Sequence, residues 1–239
     1  MVKKYKKTDM VSYTLGTTLT IELLKKKIEL VQRIYFHSKI DKNETYYQIE
    51  QICKHNNITM EFSDKVFNIL SNKENCFVIG EFKKFESSLD EEEPHIVLVN
   101  PSNSGNLGTI IRTAVGFGIN NIAIVRPAVD IYDPKTVRSS MGALFHLNFT
   151  YYESFQEYLQ EYSKHKIYPF MLKGSLSLSK VEFNGQYSLI FGNEASGLPD
   201  EFLNYGQSLI IKHSDNIDSL NLPIAVSIAL YEATKKKFK

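Results

Sequence analysis

Three stretches of this 239-residue chain set small residues beside polar or charged ones where an apolar run gives way to a turn. The first, NPSNSGNLGTIIRTAVGFG at residues 100–118, leaves the run HIVLV and enters a helical pattern. A strand, a glycine-containing turn and a helix N-terminus together present unpaired backbone N–H groups, which suits an anion or a nucleotide cofactor. Gly105 and Gly108 do not complete a G-x-G-x-x-G fingerprint, and the run NIAIV ends at Arg126 and Pro127 without an acidic residue for a ribose. The sequence also has no G-x-x-x-x-G-K-[ST] phosphate loop. These features disfavour a nucleotide-dependent oxidoreductase on a doubly wound sheet. What stays unexplained is the pair Asn106 and Arg112, six positions apart at the start of a helix where packing needs neither.

The second stretch, FGNEASGLP at 191–199, follows the run YSLIF. Gly192 and Gly197 permit tight backbone paths beside a ligand, and Asn193 and Glu194 supply polar groups at a strand's carboxyl end. A plain strand-to-helix turn would look similar. The third is IIKHSDNIDSLNLPIAVSIALYEA at 210–233. Ser219 and Asn221 are good helix caps, with Pro223 in the first turn, so chemistry is not needed to explain them. The helix that follows is apolar nearly all round and must be buried on several sides; a subunit interface would supply the second cover.

The elements that position these turns read as two kinds. Residues 1–88 give a short mixed order: a helix from Thr18 to Leu30, strand VQRIYF, helix TYYQIEQICKHNN, strand ITMEF, a short helix near SDKVFNIL and strand CFVIGEF. That is a small α/β/α sandwich. Within the polar, acidic segment SSLDEEEPH, residues 89–94 make the linker. From 95 to 239, strands apolar on both faces alternate with helices, as a covered parallel sheet requires. The expected order is HIVLV, a helix over 107–117, NIAIV, a helix near TVRSSMGALF, LNFTYY, helix SFQEYLQEYSK, IYPFML, YSLIF, SLIIK and a helix from Leu220 to Lys235.

Bulk properties narrow the class further. The longest apolar stretch, LPIAVSIALY, is about half of what a bilayer needs, so no membrane association and a cytoplasmic location are expected. Cys53 and Cys76 form no C-x-x-C pair and no Cys/His ligand spacing, which points to two buried thiols and no metal. The net charge of +1 conceals an asymmetry. Residues 1–88 carry 15 Lys/Arg against 11 Asp/Glu, and the remainder 13 against 16, so attraction to a polyanion is concentrated at the front. Lys3, Lys4, Lys6 and Lys7 sharpen it, although a frayed, solvated terminus has the same composition.

Taken in order, NLGTIIRTA, FGNEASGLP and SLNLPIAVSIALYEA resemble the three motifs of the TrmH/SpoU branch of the SPOUT RNA methyltransferases, over residues 94–239. The upstream domain is similar to the ribosomal-protein-like substrate-binding module that many members carry. The resemblance implies a trefoil-knotted parallel-sheet domain and S-adenosylmethionine held in a bent shape by strand-end loops. It also implies methylation of a ribose 2′-hydroxyl in RNA, ribosomal RNA ahead of tRNA, by a homodimer joined through the C-terminal domain. On matching positions, Leu172, Lys173, Gly192, Asn193, Ile211 and Leu220 would contact the cofactor. Asn106, Arg112, Glu194, Ser219 and Asn221 match the polar catalytic positions. One departure is Ile211-Lys212-His213, where many relatives have Ile-Pro-Met. Arginine stays protonated in proteins, so Arg112 would stabilise alkoxide character rather than take a proton. A non-catalytic RNA-binding protein of the same fold is the alternative that the resemblance leaves.

Overall fold

The structure is a computed structural model in which residues 2–71 and 75–238 are described. The chain begins with β1 (Val11–Leu15), α1 (Thr17–Lys26), a 3-10 turn (Ile28–Leu30), β2 (Val31–Phe36), α2 (Glu44–His55), β3 (Thr59–Phe62), α3 (Asp64–Leu70) and β4 (Val78–Lys83). It continues with β5 (His95–Val99), α4 (Ser104–Gly116), β6 (Asn121–Val125), α5 (Pro134–Ser139), β7 (Asn148–Tyr152), α6 (Phe155–Glu161) and β8 (Lys166–Pro169). It ends with β9 (Leu176–Ser177), β10 (Tyr187–Phe191), β11 (Leu209–Ile210) and α7 (Leu222–Thr234).

Two compact units result: residues 1–85 with 130–146, and residues 86–129 with 147–239. The first holds a four-stranded sheet in the order β1-β4-β2-β3, with β2 and β3 parallel and β4 antiparallel to both its neighbours. Alternation along the strands feeds two layers. Tyr13, Tyr35 and Ile79 pack with Val66 and Phe67 of α3, whereas Phe36 meets Tyr46 of α2 at 5.0 Å on the opposite side. Strand β1 was not anticipated, because VSYTL has only five residues and polar Ser12 and Thr14 occupy buried positions.

The units depart from the division at residues 88 and 95 read from the sequence. Residues 130–146, with the TVRSSMGALF helix shortened to α5 and a 3-10 turn, belong to the first unit. Specific contacts hold them there: Ser12 Oγ donates to the Tyr132 carbonyl at 2.5 Å, and the Phe145 ring lies 5.3 Å from Phe82.

In the second unit, β7-β6-β5-β10-β8 form one parallel sheet, and β11-β9 a small parallel pair. Every residue of β5, β6 and β10 is buried, as expected when helices cover both faces. Two expected strands are shorter: IYPFML ends at Pro169 and SLIIK is reduced to Leu209–Ile210, with Phe170 bridging to Leu209. Cys53 and Cys76 are buried free thiols in the first unit.

Candidate active site

The carboxyl ends of β8, β10 and β11 open onto a cavity of about 390 Å³. Its walls include Phe170 to Lys173, the whole turn from Phe191 to Leu198, Ile210, Ile211 and His213, and Ser219, Leu220, Leu222 and Ala225. Strand-end turns at the carboxyl edge of a parallel sheet are where α/β proteins place ligands. The volume suits a small organic cofactor.

Backbone closeness shapes this cavity. A Cβ on Gly192 would lie 2.2 Å from the Gly197 carbonyl carbon and 2.4 Å from the Leu198 nitrogen, so only glycine fits. Gly197 has φ +67°, and its N–H donates to the Asn193 carbonyl at 2.9 Å, closing the turn. The Asn193 side chain bonds at both ends: Nδ2 donates to the Asn100 carbonyl at 2.8 Å, while Oδ1 accepts from the Ala195 and Ser196 N–H groups. Phe170 and Phe191 stack with ring centroids 4.5 Å apart and form an apolar wall.

Glu194 ties this turn to the first motif. One carboxylate oxygen accepts from the Ser102 N–H at 2.9 Å and its hydroxyl at 2.7 Å; the other accepts from the Asn103 N–H at 3.1 Å and Asn106 Nδ2 at 3.3 Å. Burial alone would push this carboxyl up, but the bonds from Ser102 and Asn106 hold it below the usual carboxylate range. Asn103 caps α4, its Oδ1 accepting from the Gly105 and Asn106 N–H groups. The anionic carboxylate thus sits at the N-terminus of a helix.

All six expected cofactor positions, Leu172, Lys173, Gly192, Asn193, Ile211 and Leu220, line the cavity, as do Glu194 and Ser219. The other three do not. Asn106 reaches it only through Glu194. Asn221 occupies the N-cap position of α7, where its carbonyl accepts from the Ile224 and Ala225 N–H groups but its side chain makes no cap bond. Arg112 is exposed on α4, and among the described residues its guanidinium makes no ion pair or hydrogen bond. Lys173 pairs with Asp200 at 2.9 Å on the surface, and His213 stands in the wall at the sequence departure. Sequence reasoning passed over Ser102 and Asn103, whose only signal was a polar run before a helix. It also passed over Gly174, where a Cβ would meet the Leu209 backbone at 2.3 Å.

A parallel sheet with strand-end turns clasped around such a cavity places the second unit in the class of α/β ligand-binding domains. A family model described as the SpoU rRNA Methylase family matches residues 93–231, and the chain belongs to that family. A putative tRNA (cytidine(34)-2′-O)-methyltransferase of Listeria innocua is 32% identical over 149 residues, covering 60% of this chain and 88% of that protein. The 23S rRNA (uridine(2479)-2′-O)-methyltransferase of Streptomyces viridochromogenes is 30% identical over 150 residues, covering 59% of this chain and 52% of that one. The chain thus spans about half the length of some curated relatives. The solved AdoMet-bound rRNA methyltransferase from Sinorhizobium meliloti superposes with a TM-score of 0.80 at 25% identity, covering 95% of this chain and 88% of that chain.

Proposed function

We propose that this protein methylates a ribose 2′-hydroxyl of ribosomal RNA, in the cytoplasm, as a homodimer. The observation that carries the reading is the convergence of the turns after β8, β10 and β11 on one cavity, with the middle turn clamped through Glu194 to the N-terminus of α4. Relatives include both tRNA and rRNA enzymes. Ribosomal RNA is favoured because the likeness to the Sinorhizobium rRNA enzyme extends over 95% of the chain, whereas 60% of it already accounts for 88% of the Listeria tRNA relative.

The residues fit S-adenosylmethionine: the Phe170 and Phe191 wall offers apolar cover, and the turns at Gly192 and Ile211 offer main-chain groups for adenine and ribose. The cofactor supplies an electrophilic methyl group on a sulfonium. Arg112 binds the phosphate next to the target ribose and stabilises alkoxide character on the 2′-oxygen, while phosphate or water takes the proton. Asn221 and Ser219 orient the ribose. Asn106 and Glu194 are positioning residues, because their mutual bonds and those from Ser102 leave the carboxylate no free role as a base.

Dimerisation has its own support. Ile224, Ile228 and Tyr231 recur at helical spacing on α7 and are 52%, 38% and 59% exposed, an apolar stripe on a helix whose other side is buried. Arg112 lies outside the cavity of its own chain, so a second copy would complete the site.

Transfer of labelled methyl to purified ribosomal RNA and to tRNA, followed by mapping of ribose methylation in cells with and without the gene, tests the reading. A modified tRNA position and unmodified ribosomal RNA would replace the substrate. Absence of transfer to either would end the proposal.

A further inference from the structure

The lysine-rich N-terminal segment, which by composition could fray, is tied down. The Tyr5 hydroxyl donates to the Asp130 carboxylate, and the Lys84 ammonium sits 4.8 Å above the Tyr5 ring. The same ammonium donates to the Lys7 carbonyl at 2.8 Å and lies 3.8 Å from Asp130. Asp9 closes a turn by accepting from the Lys6 N–H at 2.7 Å, and the Lys84 N–H donates to the Met10 carbonyl at 3.0 Å, where the chain enters β1. Val2 and Tyr5 pack against the first unit's core.

Those anchors use Tyr5, Asp9, Lys84 and Asp130 and leave the other cations outward. Lys3, Lys4, Lys6 and Lys7 are exposed, and so is Lys83, paired with Val11 in the β1–β4 ladder at the end of the sheet where the turn lies. None of the five ammonium groups has a carboxylate partner among the described residues. An ordered set of unpaired cations loses less entropy on meeting a polyanion than a frayed tail does.

We propose that Lys3, Lys4, Lys6, Lys7 and Lys83 form a preordered platform that binds the phosphodiester backbone of RNA; this rests on the reading of the protein as an RNA-modifying enzyme. Lysine ammonium groups on phosphates carry no base information, so the platform strengthens and registers binding without choosing the nucleotide.

The test measures affinity of the full chain for a 20-nucleotide oligouridylate across a salt series. Each phosphate contact on a single strand contributes about 0.7 to the slope of log K against log salt, so Lys6→Gln with Lys7→Gln should lower the slope by about 1.4. Lys25→Gln with Lys26→Gln on α1 removes the same charge elsewhere and should change it far less. Tyr5→Phe keeps every lysine and should weaken binding by loosening the segment. Equal effects of the two lysine pairs, an unaltered Tyr5→Phe protein, or lysine-dependent binding to phosphatidylserine vesicles in place of the oligonucleotide would each overturn the platform. Methyl transfer is read separately. If it is absent while the lysine pairs still differ, the enzymatic reading fails and the platform stands; if it proceeds with identical pairs, the platform alone fails.

Discussion

Asn106 donates its side-chain amide to Glu194 at 3.3 Å, so two motifs 88 residues apart in the chain share one hydrogen bond. Three further donors, from the Ser102 N–H, its hydroxyl and the Asn103 N–H, converge on the same carboxylate. The first and second strand-end turns are joined by a charge-assisted clamp rather than by apolar packing.

Glu194→Gln should destabilise the protein by about 1–3 kcal/mol, because an amide group would face donors that now meet a carboxylate. Asn106→Ala removes one donor and should cost about 1 kcal/mol. Urea unfolding of both single variants and the double variant would measure their coupling, and strict additivity would show that the bond contributes nothing.

Gly192→Ala should abolish cofactor binding, since its Cβ would enter the Gly197 backbone at 2.2 Å. Gly197→Ala meets open space and bears only the strain of φ +67°, about 1 kcal/mol. Calorimetry on the two variants checks the contrast; comparable binding by both would mean that the close approach does not shape the pocket.

Arg112→Ala should keep cofactor affinity and lower methyl transfer by two or more orders of magnitude, as expected for a group acting on developing charge. A transfer assay run beside calorimetry decides it. Parallel loss of both would make Arg112 structural.

Ile224→Glu with Ile228→Glu places carboxylates on the apolar stripe of α7, where those side chains are 52% and 38% exposed. The variant should sediment as a monomer and lose transfer. An active monomer would show that one chain suffices.

His95 makes stability depend on pH. It is buried at the start of β5; its Nε2 bonds the Asp90 carbonyl at 2.8 Å, which requires that nitrogen to donate, so Nδ1 of the neutral ring accepts from the Tyr158 hydroxyl at 2.8 Å. Burial pushes the imidazole down to about 4 from an ordinary value of 6.5. The folded pKa is below the unfolded one, so this stability is fully present above pH 6.5 and is lost as pH falls toward 4. The loss is on the order of 3 kcal/mol. His95→Gln should flatten that dependence in thermal melts between pH 7 and 4, and an unchanged profile would assign the titration elsewhere.

Local pattern was enough for much of this molecule. HIVLV, NIAIV and YSLIF are apolar apart from His95, Asn121 and Ser188, and only strands buried on both faces tolerate such runs, so the covered parallel sheet was legible in the sequence. Gly192 and Glu194 stood out as a small and a charged residue at a strand's carboxyl end, although a plain strand-to-helix turn would have the same composition. Tertiary structure decided what depends on residues far apart. Nothing in residues 130–146 announces that they leave the second unit for the first, because the partners of Tyr132, Phe145 and His146, which are Ser12, Phe82 and Glu22, lie more than fifty residues upstream. The same holds for the bonds of Ser102 and Asn103 to Glu194 and of Tyr5 to Asp130. Periodicity records which face of an element is apolar. It carries no information about which distant donor will find a given carboxylate, since that pairing exists only once the intervening chain has folded.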